Sequence, residues 1–151
     1  MTAGTGTILL VEDDENDLEL FLRAYTKARI ANPMQRAAHG DEAVAYLEGT
    51  GKFADRTAHP LPVLVLLDVK LPRRSGLEVL AWIREQSGLK RLPVVMLTSS
   101  RDSGDINRAY DLGANSYLVK PVAFESLLEL VRSLNIYWLV LNQQPNPEVA
   151  A

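Results

Sequence analysis

The chain has no cysteine. Disulfide staples and thiolate metal sites are therefore excluded, and a reducing, cytoplasmic location is the expectation. No apolar run approaches the ~18 residues that a membrane-spanning helix requires, so no membrane partner is expected. The opening "MTAGTGT" has neither the basic nor the apolar region of a secretory signal. Positive charge is not in excess: the net charge is −3, which argues against DNA as a partner. No repeat of 20–50 residues is visible, nor a second domain. What is present is 151 residues, 47% hydrophobic and 23% charged, enough for one globular domain with a core. The expected layout is a flexible N-terminus at 1–6, a folded unit at 7–143 with an extended final helix, and a flexible tail at 144–151. Protein is the default partner.

Strand-like and helix-like segments alternate. Ile8–Val11 is a buried strand, and Asp14 to about Arg29 carries Leu18, Phe21, Leu22 and Tyr25 at helical spacing. Met34–Ala37 is a short strand, and Gly40 and Asp41 open a helix through Ala43, Val44 and Leu47. A loop broken by glycine and proline follows from Glu48 to Pro62. "VLVLL" (Val63–Leu67) and "PVVML" (Pro93–Leu97) have the continuous apolar character of parallel strands buried on both faces. Helices are expected at Ser75–Gln86 and at Asp102–Leu112, the latter ended by Gly113. Ser116–Val119 is a fifth strand before Lys120-Pro121 and a long last helix. The pattern predicts an α/β fold: a flavodoxin-like, doubly wound, five-stranded parallel sheet of order 2-1-3-4-5, with an extended C-terminal helix.

In such sheets ligands sit beyond the carboxyl ends of the strands. The ends here are Glu12-Asp13, Asp68, Thr98-Ser99 and Lys120. Strands one and three are neighbours in the expected order, so three carboxylates meet in one crevice with a hydroxyl and a lysine. Crowded carboxylates repel, and a hard divalent cation relieves them. Mg²⁺, which takes one or two carboxylates plus a phosphate oxygen, fits best. Thr98 and Lys120 suit phosphoryl oxygens as hydroxyl donor and point charge. Neither His39 nor His59 falls at a strand end, which leaves Asp68 as the best nucleophile, able to form an acyl phosphate. Ser99 is small and leaves room for a donor. Asp14 and Asp17 read as ordinary helix-start carboxylates.

The segments "LLVEDD", "VLLDVKLPRRSG", "PVVMLTSS" and "GANSYLVKP", in that order, resemble the receiver domain of bacterial two-component response regulators over about residues 7–135. The resemblance implies Asp68 as phosphoacceptor. It implies Asp13, Asp68 and the Lys70 backbone carbonyl as direct Mg²⁺ ligands, with Glu12 acting mostly through water. Lys120 would pair with the phosphoryl group, and the peptide before Pro121 would be cis. Thr98 would be drawn to the phosphoryl oxygen while Tyr117 turns from outward to inward, altering the face formed by the fourth helix, fifth strand and fifth helix. Lys70 and Ser100 would tune the phosphoryl lifetime, in a direction left open. Such a protein is not an enzyme acting on an external metabolite; it catalyses its own phosphorylation and dephosphorylation. Flavin binding on the same fold is disfavoured, because Asp13, Asp14 and Glu15 would repel a flavin phosphate.

The C-terminus is unusually apolar. Phe124, Leu127, Leu128, Val131, Leu134, Trp138 and Leu141 form one stripe of a helix expected from Ala123 to about Gln143. Ile136 and Val140 lie on the opposite face, and Leu130, Tyr137 and Leu139 widen the apolar girth. A homodimer through Ile136, Tyr137, Trp138, Leu139 and Val140 is expected. The long loop after the second helix and this Trp-bearing extension resemble the stand-alone regulators that serve phytochrome kinases. That resemblance implies a sensor histidine kinase as partner, with bacteriophytochromes among the candidates.

Overall fold

Residues 6–145 are described by the computed structural model. The expected flexible ends lie outside them, apart from Gly6, Gln144 and Pro145. Gly6 is buried, and its carbonyl accepts from Asn32 Nδ2 at 2.8 Å.

The apolar runs form β1 (Ile8–Val11), β3 (Leu64–Leu67) and β4 (Val94–Thr98), buried at every position. β2 (Met34–Ala37) and β5 (Ser116–Val119) are mostly half-buried, as edge strands are. All pairs are parallel, and the order is β2-β1-β3-β4-β5, as the alternation predicts. The side chains of a strand alternate between faces. Leu9, Val11, Val65, Leu67 and Met96 therefore pack on one side against Leu47, Leu77, Leu80 and Ile83. Those residues come from α2 (Gly40–Glu48) and α3 (Gly76–Glu85); α4 (Ser103–Asp111) adds Ala109. Ile8, Leu10, Leu64, Leu66 and Leu97 pack on the other side. There they meet Phe21 and Tyr25 of α1 (Glu15–Lys27) and Leu127, Leu128 and Val131 of α5 (Phe124–Leu134).

Local chemistry sets the helix starts. The Asp14 and Asp102 side chains accept from the N–H groups of Asp17 and Asp105, and Ser75 forms a capping box with Glu78. Gly76 lets α3 begin against the end of β3. A Cβ there would lie 1.8 Å from the Asp68 carbonyl oxygen. The loop after α2 is held by Arg56, which donates to the carbonyls of Tyr46 and Leu47 at 2.7 Å each and of His59 at 3.1 Å.

Two expectations change. The Lys120–Pro121 peptide is trans, as are all peptides among the described residues. Trans is the lower state even before proline, by roughly 0.5–1 kcal/mol, and the trans chain already delivers the Lys120 side chain into the acids. The last helix is α-helical only from Phe124 to Leu134. The expected extension is present, but it winds as a π-helix, Asn135–Leu141. Wider i→i+5 winding shifts the helical phase. Leu139, five residues after Leu134, turns into the core beside Ile8, Phe21 and Val131, while Leu141 is 65% exposed. Leu139 is thus withdrawn from the surface assigned to it by an α-helical count.

Candidate functional site

The parallel register carries the strand ends to one edge of the sheet. Val11 pairs with Leu67, so Glu12 and Asp68 emerge side by side. Asp68 N–H donates to the Val11 carbonyl at 3.3 Å, and Lys120 N–H donates to the Thr98 carbonyl at 2.8 Å. Three charged side chains are consequently forced into a nearly closed crevice: Lys120 is 14% exposed, Glu12 5% and Asp68 8%.

Lys120 sits at the centre. Its ammonium donates to Asp68 Oδ2 at 2.9 Å, to Asp17 Oδ2 at 3.0 Å, and to Glu12 Oε1. Burial alone would lower its pKa, but the hydrogen bonds to Glu12 and Asp68 and their charges outweigh burial and raise it, so the ammonium stays charged. Burial pushes the Glu12 carboxyl up, and the Lys120 bond and the Asp14 N–H only partly offset that. Carboxylate oxygens of Glu12, Asp13 and Asp68 lie within 4.8 Å of one another. One ammonium against these acids and Asp17 leaves net negative charge, and the cluster is a hard-oxygen donor set of the kind Mg²⁺ takes.

Thr98 is fully buried, and its Oγ1 accepts from Ser100 N–H at 3.2 Å. Tyr117, expected to point outward, is half-buried against the core, and its hydroxyl donates to the Ser100 carbonyl at 3.0 Å. Lys70 N–H donates to Asp68 Oδ1 at 3.2 Å, while its ammonium leans outward. Glu12, Asp13, Asp68 and Lys120 are thus brought together, with Thr98 and Lys70 alongside. Ile136, Tyr137 and Val140 lie elsewhere, each more than half exposed. Their segment packs beside Ile8, at the start of β1, through Leu139. Trp138 is partly covered, edge-on to Tyr137 at 5.0 Å.

Sequence reasoning missed three contributors. Asp17 reads in the sequence only as a helix-start carboxylate, yet from the first turn of α1 it reaches Lys120. Arg36 of β2 donates to the Glu12 carbonyl at 2.9 Å and fixes the acidic turn; nothing in the sequence pairs the two. Asp105 of α4 accepts from Ser100 Oγ at 2.7 Å.

The response regulator receiver domain family matches residues 8–132. The chain is 39% identical over 143 residues to the probable methanogenesis regulatory protein FilR2 of Methanothrix harundinacea, covering 93% of this chain and 88% of that protein. The phosphorylated cyanobacterial phytochrome response regulator RcpA superposes with a TM-score of 0.86 at 35% identity, over 93% of this chain and 99% of RcpA. The Mn²⁺-bound form of the response regulator Rcp1 superposes with a TM-score of 0.83, also at 35% identity, over 93% of this chain and 99% of Rcp1.

Proposed function

The chain belongs to the response regulator receiver domain family, and from that premise we propose that it accepts a phosphoryl group from a sensor histidine kinase onto Asp68. The observation that carries this reading is the Asp68 carboxylate itself, nearly buried, with the Lys120 ammonium at 2.9 Å and the oxygens of Glu12 and Asp13 beside it. In the transfer, Asp68 Oδ bonds to phosphorus as the phosphohistidine N–P bond breaks. The imidazole leaves neutral after taking a proton from solvent. Mg²⁺, held by Asp13, Asp68 and the Lys70 carbonyl with Glu12 through water, would neutralise charge between the carboxylate and the incoming group.

The chain's own residues do the rest. Lys120, already charged and desolvated, pairs with the phosphoryl oxygens, so little reorganisation is needed when charge arrives. The Thr98 hydroxyl exchanges its bond from Ser100 N–H for one to a phosphoryl oxygen. Because Ser100 also anchors Tyr117, that exchange is felt on the face made by α4, β5 and α5, where the signal is read. Hydrolysis later restores the carboxylate, and no external metabolite is turned over.

The folded unit is assigned to 7–143, acting in the cytoplasm. Similarity to RcpA, a phytochrome response regulator, supports a phytochrome-type kinase as the donor. The exposed Ile136, Tyr137 and Val140, flanked by Trp138, support a homodimer through the last helix.

The test is incubation with a small acyl phosphate and Mg²⁺, read by intact mass. The wild type should gain one phosphoryl mass and Asp68→Asn none. Labelling of Asp68→Asn at the wild-type level rejects the assignment.

A further inference from the structure

Ser100, two residues past the end of β4, is bonded through its backbone and its side chain. Its N–H donates to Thr98 Oγ1, its carbonyl accepts from Tyr117, and its hydroxyl donates to Asp105 Oδ2 at 2.7 Å. The same Asp105 oxygen lies 3.5 Å from Lys70 Nζ. Asp105 is itself anchored, since its N–H donates to Asp102 Oδ1 at 3.1 Å in the first turn of α4. The Ser100 hydroxyl, with Lys70 and Arg108 nearby, holds its carboxyl below the usual range, so it is anionic at neutral pH. Asp13, Lys70, Ser75, Asp105 and Arg108 border an open groove beside the acid cluster.

The chemistry above makes no use of Asp105. We propose that Asp105 is a positioning residue for loss of the phosphoryl group: it holds the Lys70 ammonium to one side of the groove by which water reaches phosphorylated Asp68. The inference rests on Asp68 as the phosphoacceptor. In that hydrolysis a water oxygen bonds to phosphorus as the Oδ–P bond breaks. Asp68 departs as carboxylate, one water proton stays on the phosphate, and the other goes to solvent. A lysine is a compact charge on a flexible stem, so Lys70 without its tether turns to the nearest strong anion, the phosphoryl group. There it occupies the approach that the water needs. The tether is a solvent-exposed pair, with Lys70 73% exposed, so its release changes the rate modestly.

The experiment labels the full chain with a small acyl phosphate and Mg²⁺, removes the donor, and follows loss of the added mass. Asp105→Asn should slow that loss about two- to fivefold, the scale of an exposed ion pair. Asp105→Glu, which keeps the charge, should restore the wild-type rate. In a Lys70→Met background, adding Asp105→Asn should change the rate by less than about 1.5-fold, because the coupling runs through Lys70. A wild-type or faster rate in Asp105→Asn, or equal slowing with and without Lys70, overturns the positioning role and leaves Asp68 as phosphoacceptor standing. Wild-type labelling of Asp68→Asn brings down the phosphoacceptor assignment and the positioning role together.

Discussion

At one edge of the sheet, Glu12, Asp68, Thr98 and Lys120 are polar and withdrawn from water; at the other, Ile136, Tyr137, Val140 and Leu141 are apolar and face it. Each region inverts the ordinary rule, and the inversion means something different in each. Burying charge is costly unless it is paired, so the first region is held by specific partners: Lys120 answers Glu12, Asp17 and Asp68. Exposing apolar area costs free energy in proportion to area and has no preferred direction. The second region therefore carries little geometric specification of its own, and a covering partner would have to supply it.

The largest expected effect separates the two regions outright. Ile136→Glu combined with Val140→Glu should halve the mass measured by light scattering while leaving uptake of phosphoryl from a small donor intact. An unchanged mass counts against the dimer. Lost labelling would mean that the two edges are not independent.

A smaller effect reads the helical phase. Leu139→Ala should cost about 2–3 kcal/mol in denaturant unfolding, as truncation of a buried leucine does. Leu141→Ala should stay within about 0.5 kcal/mol, as exposed positions do. Continuous α-winding would reverse that ranking.

The smallest effect concerns the crevice. Glu12 holds its proton more tightly folded than unfolded, because burial raises its pKa above the ordinary 4.5. Between those two values the folded state binds more protons, so this group's contribution to stability falls as pH rises above 4.5. Glu12→Gln should remove that slope in urea midpoints compared across the acidic range. A steeper loss in the variant would show that Glu12 is not its source.

The same contrast explains how much the sequence could tell. Strand ends are legible because a buried parallel strand has one register that keeps its apolar run inside. Once Ile8–Val11 and Leu64–Leu67 are paired, Glu12 beside Asp68 follows. Thr98 and Lys120 follow in the same way across β4 and β5, where Thr98 pairs with Val119. Asp17 and Arg36 were not legible, because their roles depend on how α1 and β2 lean over the crevice, which no spacing encodes. The isomer of the peptide before Pro121 is not legible for a similar reason: two isomers close in energy are decided by surroundings rather than by residue type. The extension of the last helix is legible, but its winding is not where its apolar residues lie all round. A stripe that covers every face fits α- and π-winding equally well, and only packing beside Ile8 and Phe21 selects Leu139 over Leu141.

The π-segment also has a bearing on tolerance to length change. From Leu134, the next inward anchor is reached after five residues rather than four. Deleting one residue between them would let ordinary winding carry the same leucine to the same seat. Inserting one would carry Leu139 past that seat and rotate Trp138 toward it. At this end of the chain, orientation is governed by residue number more than by residue identity.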